Sequence, residues 1–271
     1  MLSLSWRQFQ GQRGNLIHPT AIIDRAATVH PRAKVGAYSC IGANVEIGAD
    51  CEILQHVVIE GPTKIGPRCR IFPFASIGME PQDKKFHGEV SYLTIGSDNL
   101  IRENVTIHRG SEAGGGHTRI GSHNWIMAYV HIAHDCQVGS HIVLANATTL
   151  GGHVEIGDYS VLGGLTAVHQ FCRIGDYALT GGQSMIAQDV APFMIAAGNR
   201  AKAAGLNFVG LERNGFTKDQ IEELNKIYRI FFLSGLSKDH ALLKLEKDLE
   251  LSTILKSFVD FINQSQRGIV R

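Results

Sequence analysis

IGSHNW IMAYVH IAHDCQ VGSHIV LANATT LGGHVE IGDYSV LGGLTA VHQFCR IGDYAL, residues 120–179, is one hexapeptide pattern written ten times. Each unit opens on an aliphatic residue. Gly often follows it directly, as at Gly121, Gly139, Gly157 and Gly175. Working outward, the series continues to Ile186 and runs back through Ile107, Ile101 and Ile95 to Ile77, and from there in sixes to Ile17. The residue four places after the aliphatic is usually small, as at Ala21, Ala27, Ala33, Ser39, Cys51, Cys69 and Ala75. A fixed short period of this kind marks a parallel β-helix. Each hexapeptide supplies one short strand and a corner, and three make a triangular coil. Coils should stack at the strand-to-strand spacing of about 4.8 Å. The aliphatic points inward, the small residue fits beside a corner, and Gly relieves the turn.

Two insertions break the count. One is a loop expected at 83–94, the other a loop expected at 113–119 that holds Gly114, Gly115 and Gly116. Loops leaving a rigid solenoid are its usual sites of function. The glycine run lacks the strand–turn–helix setting of a dinucleotide site and reads as a flexible loop. After Ile195 the period fails. Thr217-Lys218-Asp219-Gln220 is a capping-box pattern, and Ile221, Leu224, Ile227 and Phe231 follow helical spacing. Gly235 suits a helix stop, and Ser237 and Ser252 suit caps of two further helices. The organisation expected is an N-terminal extension 1–16, a β-helix 17–200 and a helical domain 201–271 that closes the open strand edges.

Charge is nearly balanced, at formal +1, which gives no reason to expect a nucleic-acid partner. No apolar run reaches the roughly 20 residues of a membrane span. The N-terminus MLSLSWRQFQGQRGN has no signal-peptide core, so no stable membrane insertion is expected and the cytoplasm is the default location. Cys51, Cys69, Cys136 and Cys172 occupy the small-residue slot and Cys40 a repeat end. They read as small hydrophobes, neither disulfides nor metal ligands.

The 13 histidines are not scattered. Counting in eighteens places the hexapeptides of Ile77, Ile107, Ile132, Leu150 and Val168 on one face of the prism. His108, His134, His153 and His169 fall there on successive coils, and His131 is expected just across the preceding corner. The loop carrying Asp83 leaves from the same face. Asp135 follows His134, and a carboxylate beside an imidazole fixes its tautomer, which suits a general base. No Gly-x-Ser-x-Gly, Walker A or paired-Cys motif is present, and nothing calls for a metal or a cofactor.

At these residues the chain closely resembles the UDP-N-acetylglucosamine O-acyltransferases. The matching stretches are Pro81-Gln82-Asp83, VTIHRG (105–110), HIAHDCQVG (131–139), GGHV (151–154), TAVHQF (166–171), AQDV (187–190) and RGIVR (267–271). The resemblance implies a left-handed β-helix assembled as a homotrimer, with active sites between subunits. It implies a donor that is an (R)-3-hydroxyacyl thioester of acyl carrier protein. The acceptor would be the 3-hydroxyl of UDP-N-acetylglucosamine, and the reaction the first step of lipid A synthesis. It makes His134 the general base, Asp135 its orienting carboxylate and Gly152 the backbone N–H for the oxyanion. Gln82, Asp83, Lys85, His108, His131, His153, His169 and Gln170 would line the groove, and Asn207 and Arg213 would touch the nucleotide. Gly182 falls where the family measures acyl length, and its small size suggests a longer chain. The sequence departs from the pattern at Val209, often acidic in the family, and at Asn214, often Arg. Residues 200–271 hold 12 Lys and Arg against 9 Asp and Glu, a tilt that fits an acidic carrier protein.

Three other readings compete. A γ-carbonic-anhydrase-type trimer would gather three His on Zn²⁺, with His108, His131 and His134 the imaginable ligands. A 3-amino UDP-sugar could replace the alcohol as acceptor and use the same base. A bare scaffold would leave the histidine face unexplained. Outward Phe74, Trp125, Met127, Tyr129, Leu165 and Phe171 exceed what a solvated prism should show, which favours a second subunit as the other wall of a groove.

Overall fold

In a computed structural model, which describes residues 16–250 and 252–271, the chain is a left-handed parallel β-helix followed by helices. The expected N-terminal extension lies, but for Leu16, outside the described residues. Three sheets of 9, 8 and 10 strands, parallel but for the last strand of the third, form the faces of the prism. The 9-stranded face holds the strands Ser76–Met79, Thr106–His108, His131–Ile132, Thr149–Leu150 and Ala167–Val168 in that order. Its inward column is Ile77, Ile107, Ile132, Leu150 and Val168, in register across both insertions. This is the histidine face. His131 lies in its strand, paired with Thr106 and Thr149, and not across the preceding corner as expected. The corner ends one residue sooner than counting from the aliphatic implies.

The two excursions also differ from the counted bounds. The chain leaves after Met79 and resumes a strand at Tyr92, and leaves after His108 and resumes at His117. The expected 83–94 and 113–119 therefore take in strand residues. Counting back from an aliphatic assigns every extra residue to the stretch just before it. In the structure the returning strand already has an inward residue there, Leu93 or Thr118, both buried.

The core is the stack of aliphatics and small residues, nearly all fully buried, and each large aliphatic contributes roughly 1.5–3 kcal/mol. Cys51, Cys69, Cys136 and Cys172 lie in it as free thiols. Corners turn through a residue with positive φ, among them Asp135 at 60° and His153 at 61°. Asp, Asn and His tolerate that region better than other side chains do. Gly follows the aliphatic because the next coil comes too close for a side chain. A Cβ on Gly139 would lie 2.4 Å from Asp158 Oδ1, and one on Gly157 2.2 Å from Asp176 Oδ1.

The last coil is sealed by a strand, Lys202–Leu206, antiparallel to Met194–Ala197, in a stretch expected to be helical. Four helices follow: α1 (Phe208–Arg213), α2 (Lys218–Tyr228), α3 (Lys238–Asp248) and α4 (Thr253–Gln264). Thr217 and Gln220 make both bonds of the capping box, and Ser237 and Ser252 cap α3 and α4. Phe193, Leu211, Ile227, Phe231 and Phe258 belong to a second core that joins the helices to the end of the prism. The tail locks down through Asp189, whose N–H donates to Gly268 O and whose carboxylate accepts from Ser265 Oγ at 2.6 Å. Among the described residues no helix is long and apolar enough to cross a membrane.

Candidate active site

The corner that follows the histidine face carries the site. His134 enters it from the strand His131–Ile132, and Asp135 takes the left-handed turn position. His134 Nδ1 lies 2.8 Å from Asp135 Oδ2. With that nitrogen donating to the carboxylate, Nε2 is left as an acceptor. Asp135 is buried and held from several sides. Its N–H donates to Thr118 Oγ1 at 2.8 Å, and its carboxylate accepts from Ser111 N (2.9 and 3.1 Å) and Ser111 Oγ (2.7 Å). Burial raises the pKa of the carboxyl. The bonds from His134 and Ser111 outweigh burial and hold it below the ordinary carboxylate range.

His153 repeats the turn position one coil on. Its ring stacks on Phe171 at 4.3 Å and meets the His134 ring edge-on at 5.2 Å. Gly152 lies between, buried, and a Cβ there would be 2.8 Å from His134 Nε2. Among the described residues no acceptor takes the Gly152 N–H. On the other side His131 Nδ1 is 2.7 Å from Thr106 Oγ1, and the His108 ring meets His131 edge-on at 4.9 Å. His108 is only 5% exposed, and burial, with His131, His134 and Arg109 nearby, pushes its pKa down to about 4. Burial lowers His131 as well, with His134 adding to it. Burial also lowers His153, against the opposing charges of Asp135 and Asp83. The imidazoles around His134 are therefore neutral at pH 7, and Asp135 is its charged neighbour.

The excursions cover this corner. Asp83 is half-buried, accepts from Lys85 N at 3.0 Å, and is near enough for its charge to act on His153. Gln82 and Lys85 are exposed beside it. Glu89 ties the loops together, accepting from His87 N at 2.8 Å and Glu112 N at 3.2 Å. His169 and Gln170 lie exposed on the next coil, with His169 Nδ1 donating to Gln170 O at 3.0 Å.

Three residues expected at the site lie elsewhere on this chain. Gly182 is exposed at the corner that enters the histidine face, opposite the one that leaves it. Asn207 is a buried helix cap. It accepts from Gly210 N and donates to Tyr177 O, at the third corner and more than two coils further on, about 10 Å along the axis. Arg213 is exposed at the end of α1. Two residues were missed, Ser111 and Gly114. The glycine run, read from the sequence as a flexible loop, forms a hydrogen-bonded turn against Asp135. Gly114 N and Gly116 N both donate to Ser111 O, and a Cβ on Gly114 would fall 2.0 Å from Asp135 Cγ. Gly114 is needed for close approach, and Gly115 and Gly116 for φ of 86° and 74°. The small side chain of Ser111, just after VTIHRG, was the one available signal.

The three histidines imaginable as zinc ligands, His108, His131 and His134, do not gather within this chain. Among the described residues the atoms that come together are on His134 and His153, with Asp135 between them. His134 Nδ1 is taken by Asp135. The Asp135 oxygens already accept from His134 and Ser111.

The family profile described as UDP N-acetylglucosamine O-acyltransferase, domain 2, matches residues 189–270, and that of the bacterial transferase hexapeptide repeats matches 117–152. The chain is 51% identical, over 95% of its length and all of the relative's, to the acyl-(acyl carrier protein)–UDP-N-acetylglucosamine O-acyltransferase of Thermodesulfovibrio yellowstonii. It superposes on the UDP-N-acetylglucosamine O-acyltransferase of Moraxella catarrhalis with a TM-score of 0.93. That pair shares 49% identity, over 95% of this chain and 100% of the other. The Arabidopsis UDP-N-acetylglucosamine acyltransferase gives 0.84 at 36% identity, over 94% of this chain and 100% of the other.

Proposed function

The chain belongs to the UDP-N-acetylglucosamine O-acyltransferase family, and from that premise we propose how its residues move an acyl group from acyl carrier protein to UDP-N-acetylglucosamine. The observation that carries the reading is the His134–Asp135 pair. Its free Nε2 faces a corner covered by two loops and bordered by a buried backbone N–H. The acceptor is the sugar 3-hydroxyl, and the donor an (R)-3-hydroxyacyl thioester, as in the first step of lipid A synthesis.

A sugar hydroxyl is a weak nucleophile until its proton is taken. His134 Nε2 accepts that proton as the oxygen attacks the thioester carbonyl carbon. The imidazolium that forms is stabilised by Asp135. The Gly152 N–H supports the oxyanion of the tetrahedral adduct. The C–S bond then breaks, and His134 returns the proton to the departing sulfur, leaving an ester and the carrier thiol. A positioned base contributes roughly 10²–10⁴-fold, and an oxyanion donor about 10²–10³. Asp83, His131 and His153 would hold the sugar and acyl portions around the base.

We place the working site between subunits of a homotrimer. His134 lies at one corner, while Gly182, Asn207 and Arg213 lie at or beyond the others. One substrate could reach all of them only if two copies contributed. Exposed Phe74, Tyr129 and Leu165 on the corner that carries Gly182 supply apolar surface for such contact. The carrier protein would dock on the basic helical side.

The test is acyl transfer from (R)-3-hydroxyacyl carrier proteins of several lengths to UDP-N-acetylglucosamine, with light scattering on dilution. Transfer by a trimer is expected. A fully active monomer would refute the shared site, and transfer only to a 3-amino sugar would move the acceptor.

A further inference from the structure

We infer that the Ser111 hydroxyl is a positioning residue that sets the basicity of His134 through Asp135. The inference rests on the reading of His134 as general base. Three donors converge on Asp135 Oδ2: Ser111 Oγ at 2.7 Å, His134 Nδ1 at 2.8 Å and, more weakly, Ser111 N at 3.1 Å. A carboxylate oxygen has two in-plane lone pairs, so a strong bond from one donor weakens that of another. The Ser111 hydroxyl therefore competes with the imidazole for the same oxygen while fixing where that oxygen lies.

The hydroxyl is not there to build its loop. The turn is closed by Ser111 O, which accepts from Gly114 N and Gly116 N. Among the described residues the one partner of Ser111 Oγ is Asp135. Ser111 is 2% exposed, so no water shares the hydroxyl freely. Gly114 lies close against the same carboxylate, where a Cβ would fall 2.0 Å from Cγ and 2.3 Å from Oδ2. The excursion thus holds Asp135 through the Ser111 donors and the close approach of a bare Cα, and Asp135 holds His134.

Removing the hydroxyl has two consequences of opposite sign. Asp135 loses an anchor, which lowers turnover. The remaining bond to His134 Nδ1 strengthens, which favours the imidazolium and raises the pH at which the base becomes free. A residue with a purely structural role would give only the first. The other groups facing His134 are His108, His131 and His153, with Asp83 behind His153, and none of them changes in this substitution.

The experiment compares wild type, Ser111→Ala, Ser111→Thr and Ser111→Cys, each also with Asp135→Asn. It reads kcat, KM and the pH profile of acyl transfer, with NMR titration of the His134 ring in the resting protein. Ser111→Ala should lower kcat about 3- to 30-fold with little change in KM. It should also move the acidic limb and the ring titration up by roughly half a pH unit. Ser111→Thr should restore both, and Ser111→Cys should fall between. With Asp135→Asn, loss of the hydroxyl should cost less than about twofold. An unmoved limb and ring titration, or an equal loss in both backgrounds, overturns the proposal. A wild type without acyl transfer would sink the general-base reading instead, and the ring titration would still decide whether Ser111 tunes His134.

Discussion

All three corners of the prism carry a histidine in the turn, His56 at the corner entering the histidine face, and the other two surround theirs in different ways. At the corner leaving the histidine face, His134 and His153 meet edge-on, half-buried under two loops, with Asp135 between them. At the next corner His123 and His141 stack face to face at 4.8 Å, and the column continues through Tyr159 and Tyr177. There the side chains of Ser140, Asp158 and Asp176 each accept from the backbone of the coil before, and no insertion interrupts them. A histidine in a corner is therefore not a signal of chemistry by itself. What separates the corners is an imidazole nitrogen left free by a carboxylate that other groups hold in place.

The hardest test truncates one histidine at each corner. His134→Ala should lower kcat by at least about 10², the share of a positioned base. His141→Ala should leave kcat nearly unchanged and cost about 0.5–1.5 kcal/mol of stability from lost stacking. Steady-state kinetics beside denaturant titration reads both. Equal losses of kcat would erase the distinction between the corners.

A methyl group sharpens it further. Gly114→Ala places a carbon against the Asp135 carboxylate, and Gly139→Ala places one against the carboxylate of Asp158. The first should cost about 10- to 100-fold in kcat with little loss of stability, because the loop can lift while the base loses its alignment. The second should cost roughly 1–3 kcal/mol of stability with kcat preserved, because it breaks a rung of the ladder. The reverse pattern would mean that the loop holds the fold and the ladder serves the reaction.

The difference between the corners was only half legible in the sequence. The hexapeptide period set the three faces, the inward columns and the register, because one aliphatic per strand leaves a coil no other way to close. The phase of His108, His134, His153 and His169 then followed by counting. The roles of Ser111 and Gly114 did not, because they depend on where an excursion lands, and no period governs an excursion. Asn207 shows the opposite limit. Its resemblance to a nucleotide contact was readable, while its use here as a cap on α1, bonded to Tyr177 O, needed the folded chain.

A further effect, on stability alone, concerns how acid reaches the two corners. His108 is buried beside the site, and its pKa falls from 6.5 to about 4. A histidine whose folded pKa is depressed contributes stability that is full above the unfolded pKa and is lost as pH falls through the folded one. The window runs from about 6.5 down to 4, and the loss from His108 alone should reach about 2 kcal/mol by pH 5. His131 and His153 are depressed in the same direction and add to it. Glutamine keeps much of the shape of the ring and cannot be protonated. Denaturant titrations of His108→Gln between pH 7 and 5 should therefore fall less steeply than those of wild type. His141→Gln, at the exposed corner, should follow the wild-type slope. If His141→Gln flattens the slope and His108→Gln does not, the cost of protonation lies in the stacked column, and burial of the histidine face is not what separates the two corners.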